Sequence, residues 1–162
     1  IGNALEVEEA MRVLKGAECK LADVSKEIAT ILIALAKKIS NTEALEMVEE
    51  VLNNKEAYKK FKEFVRFQNG DLSKFDIKAN IKVIRSPEAG ILKNINARKI
   101  GELSLKLGAG KINDSEKIDY SAGIKLFKNV GDTIDKNDIL ATLYTNKKVK
   151  LTNEDINCFE IE

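Results

Sequence analysis

Residues 108–143 contain four short segments, GAGK (108–111), IDYSAGI (118–124), VGDTI (130–134) and DILATL (138–143). The residues around Gly131 and Asp132 form a typical turn sequence, because Gly accepts a positive φ and Asp hydrogen-bonds its own backbone. Residues 124–127 and 139–143 are rich in apolar strand formers. This alternation of turns and strands predicts a compact antiparallel half-barrel, although it does not by itself identify a reaction.

Residues 1–70 have the apolar period of four helices. The second helix, at about 21–39, keeps that period for nearly its whole length, and further apolar residues widen its stripe. We therefore expect it to be buried on more than one side. Ser40 and Glu43 form a capping-box sequence for the third helix, and the aromatic stripe of Tyr58, Phe61 and Phe64 on the fourth is expected to be core.

A strand-like period begins at residue 80, after a polar linker at 71–79. Strands are expected at 81–84, 91–95, 123–127, 139–145 and 157–161. A helix between the second and third of them is expected to be capped by Asn96 and to end at Gly108. The sequence thus predicts an α+β fold, with a helical segment at 1–72 and an antiparallel-sheet, barrel-sandwich-like domain at 73–162.

Composition narrows the classes of function. The 162 residues carry a net charge of +1 and no His, so we expect no nucleic-acid partner, no Ser-His or Cys-His nucleophile and no His-ligated zinc. Cys19 and Cys158 read as lone thiols of a reducing cytoplasm. No apolar run approaches the length of a membrane span. The chain begins IGN without Met, and we expect it to be a piece of a longer protein that is not an enzyme by itself.

The segments of residues 107–134 resemble the C-terminal domain of pyrimidine-nucleoside phosphorylases, the family that includes thymidine phosphorylase. That family has an LGAGR segment, then Ile-Asp-x-Ala-x-Gly-Ile, then a Val-Gly-Asp-x-Val turn. Here LGAGK, IDYSAGI and VGDTI follow in the same order, with Lys111 for the usual Arg and Ser121 for the usual Ala. The first ten residues, IGNALEVEEA, are also similar to the family's Val-Gly-Asn-Ala-Leu-Glu-Val-x-Glu-Ala.

The resemblance implies that the chain is the C-terminal third of such an enzyme. The parent would be a cytoplasmic homodimer that cleaves thymidine or uridine with inorganic phosphate. The family's phosphate loop and base-binding residues lie on earlier segments, so we expect no catalytic residue in this chain. Residues 1–72 would be helices of the parent's large α/β domain.

One family site reaches this chain. Some bacterial members hold a potassium ion with backbone carbonyls and one Glu carboxylate, and the matching residue is Glu9. An oxygen ligand of this kind suits a hard cation. The alternative is that Glu6, Glu8 and Glu9 only complement the positive end of a helix.

Two other classes of function stay open at this point. The VGD turn followed by a buried strand also resembles lipoyl and biotinyl carrier domains, which need a modifiable Lys at a hairpin tip. Lys136 lies in a different turn from the one that such a carrier would use. The other alternative is a helical interaction module without chemistry.

Overall fold

The computed structural model describes the backbone of residues 1–162 and every side chain except that of Ile156. The chain divides into two compact units, Val7–Phe75 and a second unit made of Ile1–Glu6 with Asp76–Glu162. None of the helices in this described part is both long and apolar enough to cross a membrane. The assignment of 1–72 and 73–162 to two domains of a parent enzyme stays a prediction.

Four helices account for most of residues 1–75: α1 (Asn3–Leu14), α2 (Lys20–Lys37), α3 (Asn41–Asn53) and α4 (Glu56–Phe67), followed by a 3₁₀ turn at Leu72–Lys74. The predicted capping box of α3 is confirmed. The backbone N–H of Glu43 donates to Ser40 Oγ at 3.2 Å, and that of Ser40 donates to Glu43 Oε2 at 3.0 Å. The bond from the Ser40 backbone lowers the pKa of the Glu43 carboxyl.

The predicted burial of α2 on more than one side is wrong for this chain. Only Ala22, Thr30 and Ala34 of that helix are buried, whereas Ile31 is 45% exposed and Leu35 is 72% exposed. The aromatic stripe of α4 is likewise not core, since α4 has no buried residue. Periodicity identifies an apolar face correctly, but it does not say whether the same chain supplies a partner for that face.

The second unit contains six strands and two helices: β1 (Asn80–Arg85), β2 (Gly90–Ile95), α5 (Ala97–Leu107), β3 (Gly123–Leu126), β4 (Thr133–Ile134), β5 (Ile139–Thr145), α6 (Asn153–Ile156) and β6 (Phe159–Ile161). They form two antiparallel three-stranded sheets, in the orders β1-β5-β3 and β4-β2-β6. The α+β class is therefore confirmed, with an antiparallel C-terminal half. The sequence period did not indicate β4 or α6, which have only two and four residues.

The core of this unit lies among α5, the central strand β5 and strands β2 and β3. Its fully buried large side chains include Leu92, Leu107, Ile124, Leu140 and Leu143. The Asn96 side chain accepts from the Lys99 backbone N–H at 3.0 Å, so the predicted cap of α5 is confirmed. Buried Cys158 belongs to the same cluster, and burial raises the pKa of its thiol.

Candidate functional site

The segment GAGK ends helix α5. Gly108 has φ +108°, and its N–H donates to the carbonyl of Leu105. The next N–H, that of Ala109, donates to the Ser104 carbonyl at 3.1 Å. These bonds satisfy carbonyls that the end of a helix leaves free. A Cβ on Gly110 would lie 2.4 Å from Leu105 Cδ2, so the second glycine lets the chain pass close to the helix.

The segment IDYSAGI folds as a turn organised by Asp119. One carboxylate oxygen of Asp119 accepts from the Ser121 backbone N–H at 3.0 Å, and the other accepts from Asn146 Nδ2 at 3.0 Å. The Asp119 N–H donates to the Gly108 carbonyl at 2.9 Å. Asp119 therefore ties the cap of α5 to the turn before β3, through its backbone N–H on one side and its carboxylate on the other.

Residues 1–4 lie against this turn. The amino group of Ile1 donates to the Ile124 carbonyl at 2.9 Å, and the Ile124 N–H donates to the Ile1 carbonyl at 2.7 Å. The Ala4 N–H donates to the Tyr120 carbonyl at 3.0 Å. The Asn3 side chain donates to the Ala109 carbonyl at 2.8 Å. The two stretches that carry the family resemblance lie at the start of the chain and at 107–124. They are joined by hydrogen bonds between residues that are more than 100 positions apart in sequence.

Two glycines permit this approach of backbone to backbone. A Cβ on Gly123 would lie 2.3 Å from the Ile1 carbonyl oxygen and 2.9 Å from Leu5 Cδ1. A Cβ on Gly2, which has φ +113°, would lie 2.6 Å from the Ala122 carbonyl oxygen. Any larger residue at either position would push the two segments apart. We call the paired residues 1–5 and 119–124 the junction.

The segment VGDTI connects the two sheets. The Gly131 N–H donates to the Leu92 carbonyl at 2.8 Å, and the Leu92 N–H donates to the Asp132 carbonyl at 3.0 Å. The Asp132 carboxylate accepts from the Asn129 N–H at 2.7 Å. Lys128 lies before this segment, between β3 and β4, and its Nζ donates at 2.6 Å to Oδ2 of Asp138, which lies between β4 and β5. This bond lowers the pKa of the Asp138 carboxyl.

The turn that carries Lys136 does not have the arrangement of a carrier-domain hairpin. It follows β4 and precedes β5, but β4 pairs with β2 whereas β5 pairs with β1 and β3. Lys136 therefore lies between strands of two different sheets. A carrier needs its Lys at the tip of one hairpin, and this geometry weighs against the carrier hypothesis.

Glu9, the predicted cation ligand, lies on α1 with an exposed side chain. Glu6, one turn earlier, accepts from the Gly2 N–H at 3.1 Å, as expected of an acidic residue at a helix N-terminus. Among the side chains that the structure describes, no group of three His, Cys, Asp or Glu could hold a metal ion. The donor type of Glu9 suits a hard cation, and its assignment as a cation ligand stays a prediction.

Sequence reasoning missed two residues of this region. Asn3 holds the start of α1 to the cap of α5, and Asn146 donates both to Asp119 and to the Lys78 carbonyl at 2.7 Å. Asn3 lies within the family-like segment IGNALEV, where its amide could have been singled out as a long-range donor. Asn146 has no such signal, because it follows β5 and lies outside the family-like segments.

The comparison with known proteins agrees with these motifs. The family described as pyrimidine nucleoside phosphorylase C-terminal domain matches residues 91–156. The chain is 38% identical over 156 residues to pyrimidine-nucleoside phosphorylase of Bacillus subtilis. This alignment covers 91% of this chain and 36% of that enzyme. It is 34% identical over 157 residues to thymidine phosphorylase of Metamycoplasma hominis, covering 92% of this chain and 58% of that protein.

A third relative extends the pattern. Pyrimidine-nucleoside phosphorylase of Staphylococcus haemolyticus is 31% identical over 156 residues, with 91% of this chain and 36% of that protein covered. The chain thus spans about a third to somewhat over half of the length of the curated relatives it matches. The matched stretch extends well beyond the C-terminal domain, over nine-tenths of the chain. This chain carries the C-terminal domain of the pyrimidine-nucleoside phosphorylase family and is similar to enzymes of that family over nine-tenths of its length.

Proposed function

We propose that this chain is the C-terminal part of an enzyme that cleaves pyrimidine nucleosides with inorganic phosphate. In the proposed reaction a phosphate oxygen attacks the anomeric carbon, the bond from that carbon to the base nitrogen breaks, and the base leaves and takes up a proton. The products are the free base and α-ribose or α-deoxyribose 1-phosphate. The observation that carries this proposal is the alignment over 91% of the chain with an enzyme named for this substrate class.

The proposal assigns the chemical step to the part of the enzyme outside this chain. Phosphorolysis needs a cradle for phosphate and donors that stabilise the negative charge that develops on the leaving base. The polar groups of the junction are instead bonded within the chain, as the Asn3 amide is to Ala109 and the Asp119 carboxylate is to Ser121 and Asn146. The contribution of the junction would be to position α1 and β3.

The first test compares the chain alone with a chimera, in which this chain replaces the 156 matched residues of the B. subtilis enzyme. We expect the purified chain to release no base from thymidine or uridine above the buffer background. We expect the chimera to release base from at least one of them, and only when inorganic phosphate is present. Base release is followed by its change in ultraviolet absorbance.

The control is the B. subtilis enzyme truncated before the matched residues, which should be inactive. Phosphate-dependent base release by the chain alone would contradict the assignment of chemistry to the missing part. A folded chimera that hydrolyses nucleosides without phosphate, or leaves them intact, would contradict the proposed function and favour a non-catalytic interaction module.

We further propose that Glu9 donates one carboxylate oxygen to a potassium ion in the complete enzyme. The exposed side chain and its hard-oxygen chemistry support this role. In the chimera, Glu9→Ala should raise the potassium concentration needed for half-maximal activity about 10-fold or more, since even residues that only support metal ligands change affinity by about 10–100-fold. Potassium should also raise the thermal midpoint of the chimera, and it should raise that of the Glu9→Ala variant by less.

The matched control is Glu8→Ala, which removes the neighbouring carboxylate of the same helix. If both variants respond to potassium alike, Glu9 only complements the helix N-terminus.

We also propose that the complete enzyme is a cytoplasmic homodimer, as the family resemblance implies. The oligomeric state of the chimera can be measured by sedimentation equilibrium.

A further inference from the structure

Helix α2 carries a continuous apolar stripe that faces solvent. Val24, Ile28, Ile31 and Leu35 follow one another at helical spacing and are 45–72% exposed. Leu21 and Leu32 extend the same surface, at 41% and 60% exposure. Single exposed apolar residues are ordinary on a protein surface, but six on one 18-residue helix form a contiguous patch of the kind that marks an interaction site.

The opposite side of α2 is already used. Its three buried residues, Ala22, Thr30 and Ala34, are small, and α2 packs against α3, whose buried residues are Ala44 and Val48. Helix α2 is therefore apolar both where it packs and where it is exposed. From Ile28 to Ala36 every residue of α2 except Thr30 is apolar, and a helical stretch that is apolar all round is typical of the interior of a larger protein.

A polar group supports the same conclusion. A cleft of about 430 Å³ lies between α2 and α3, and its lining combines the apolar Ile31 and Leu45 with polar and charged residues, Asp23, Lys26, Glu27 and Asn41. Thr30 also lines this cleft, and its side chain is only 8% exposed. Among the described residues, Thr30 Oγ1 is the one buried side-chain oxygen or nitrogen without a hydrogen-bond partner. Such groups are normally satisfied in native proteins.

We propose that the exposed face of α2, together with the α2–α3 cleft, is an internal docking surface for phosphorylase polypeptide that this chain does not contain. The occupant is the part of the enzyme that corresponds to the unaligned portion of the relatives. It presents an apolar face to the stripe and a hydrogen-bonding group to Thr30 Oγ1. The inference rests on the proposed function, because the occupant belongs to the same enzyme.

The relatives' length favours this occupant over a second copy of the chain. The chain covers 36% of the B. subtilis enzyme, so most of that polypeptide lies outside the match and is available in the same molecule. A covalently connected segment acts at high effective concentration, which a separate partner lacks. The stripe also crosses most of the length of α2, as expected for a helix packed into a domain rather than for a small contact at its end.

The test compares two substitutions in the chain alone and in the chimera. Ile31→Asp should lower the thermal midpoint of the chain by no more than about 2 °C, because the side chain already faces water, but that of the chimera by about 8 °C or more. Thr30→Val should leave the midpoint of the chain unchanged or raised and should lower that of the chimera, because only there does the hydroxyl have a partner to lose. Ile112→Asp, at a residue that is 66% exposed in the other unit, is the control. It should have a small effect in both proteins.

Hydrogen exchange provides a second measurement if Ile31→Asp prevents the chimera from folding. The milder Leu35→Ala variant should then speed exchange of the α2 amides in the chimera and not in the chain. Equal effects of the substitutions in both proteins would overturn the proposal, and so would an unsubstituted chimera that does not fold although the chain does. A concentration-dependent dimer of the chain that Ile31→Asp dissociates would assign the face to a second copy and overturn it as well.

These measurements are independent of catalysis. An inactive chimera that Ile31→Asp selectively destabilises would contradict the proposed function and support the docking surface. An active chimera that Ile31→Asp destabilises no more than it destabilises the chain would support the proposed function and contradict the docking surface.

Discussion

Replacing Gly123 with Ala is expected to lower the free energy of unfolding of the β-containing unit by about 3 kcal/mol. The added Cβ would lie 2.3 Å from the Ile1 carbonyl oxygen, a backbone atom that no rotamer change can move away. The paired bonds between Ile1 and Ile124, of 2.9 and 2.7 Å, would have to lengthen or break. The loss is measured by urea denaturation, and the position of the damage by exchange of the Ile124 amide.

Gly101→Ala is the matched control. It makes the same chemical change in the same unit, but a Cβ at Gly101 would meet nothing within 4 Å. Because Gly101 lies inside helix α5, the substitution should stabilise the protein by about 0.5–1 kcal/mol. If Gly123→Ala behaves like Gly101→Ala, and the Ile124 amide stays protected, the N-terminal residues do not pair with β3 in solution.

The junction contains one contact that the sequence pattern does not predict. The glycines and the family-like segments are visible in the sequence, and two local structures follow from it, the α5 cap at Gly108 and the strand that begins at Gly123. The contact between Ile1 and Ile124 was not predictable from pattern, because it is made by backbone atoms 123 residues apart. Backbone pairing of this kind leaves no period in the side chains, and only the requirement for a small residue at both Gly2 and Gly123 marks it.

Helix α2 illustrates a different limit. Its period predicted the helix within one or two residues at each end, because the spacing of apolar residues is a local property. The same period led to a wrong statement about burial, since burial depends on what lies across from the helix. Ile31 and Leu35 have the sequence signature of core residues and the exposure of surface residues. The difference is explained if the partner of the face is a different part of the polypeptide.

Site prediction was limited in the same way. Glu9 could be chosen only by resemblance, because a single exposed carboxylate on a helix has no distinguishing geometry. The residues that organise the junction, Asn3 and Asp119, are ordinary polar residues until their partners are known. A metal or hydrogen-bond site formed by distant segments can be read from sequence only where each segment carries its own motif.

The largest effect is expected from Leu143→Ala. Leu143 lies on the central strand β5, paired with Lys82 on one side and Ile124 on the other, and its side chain is fully buried in the core cluster. Removing it leaves a cavity between strands that are held by hydrogen bonds on both sides and cannot collapse easily. The expected loss is about 3–4 kcal/mol, or a fall of roughly 10 °C in the thermal midpoint.

Leu35→Ala removes the same atoms from the stripe of α2, where the leucine is 72% exposed. In the chain alone its cost should stay within about 0.5 kcal/mol, because little buried surface is lost. Both variants should be unfolded by heat at two protein concentrations, so that any self-association through α2 is detected. A Leu35→Ala loss as large as that of Leu143→Ala, at both concentrations, would mean that the chain itself covers α2 and that the exposed stripe does not exist in solution.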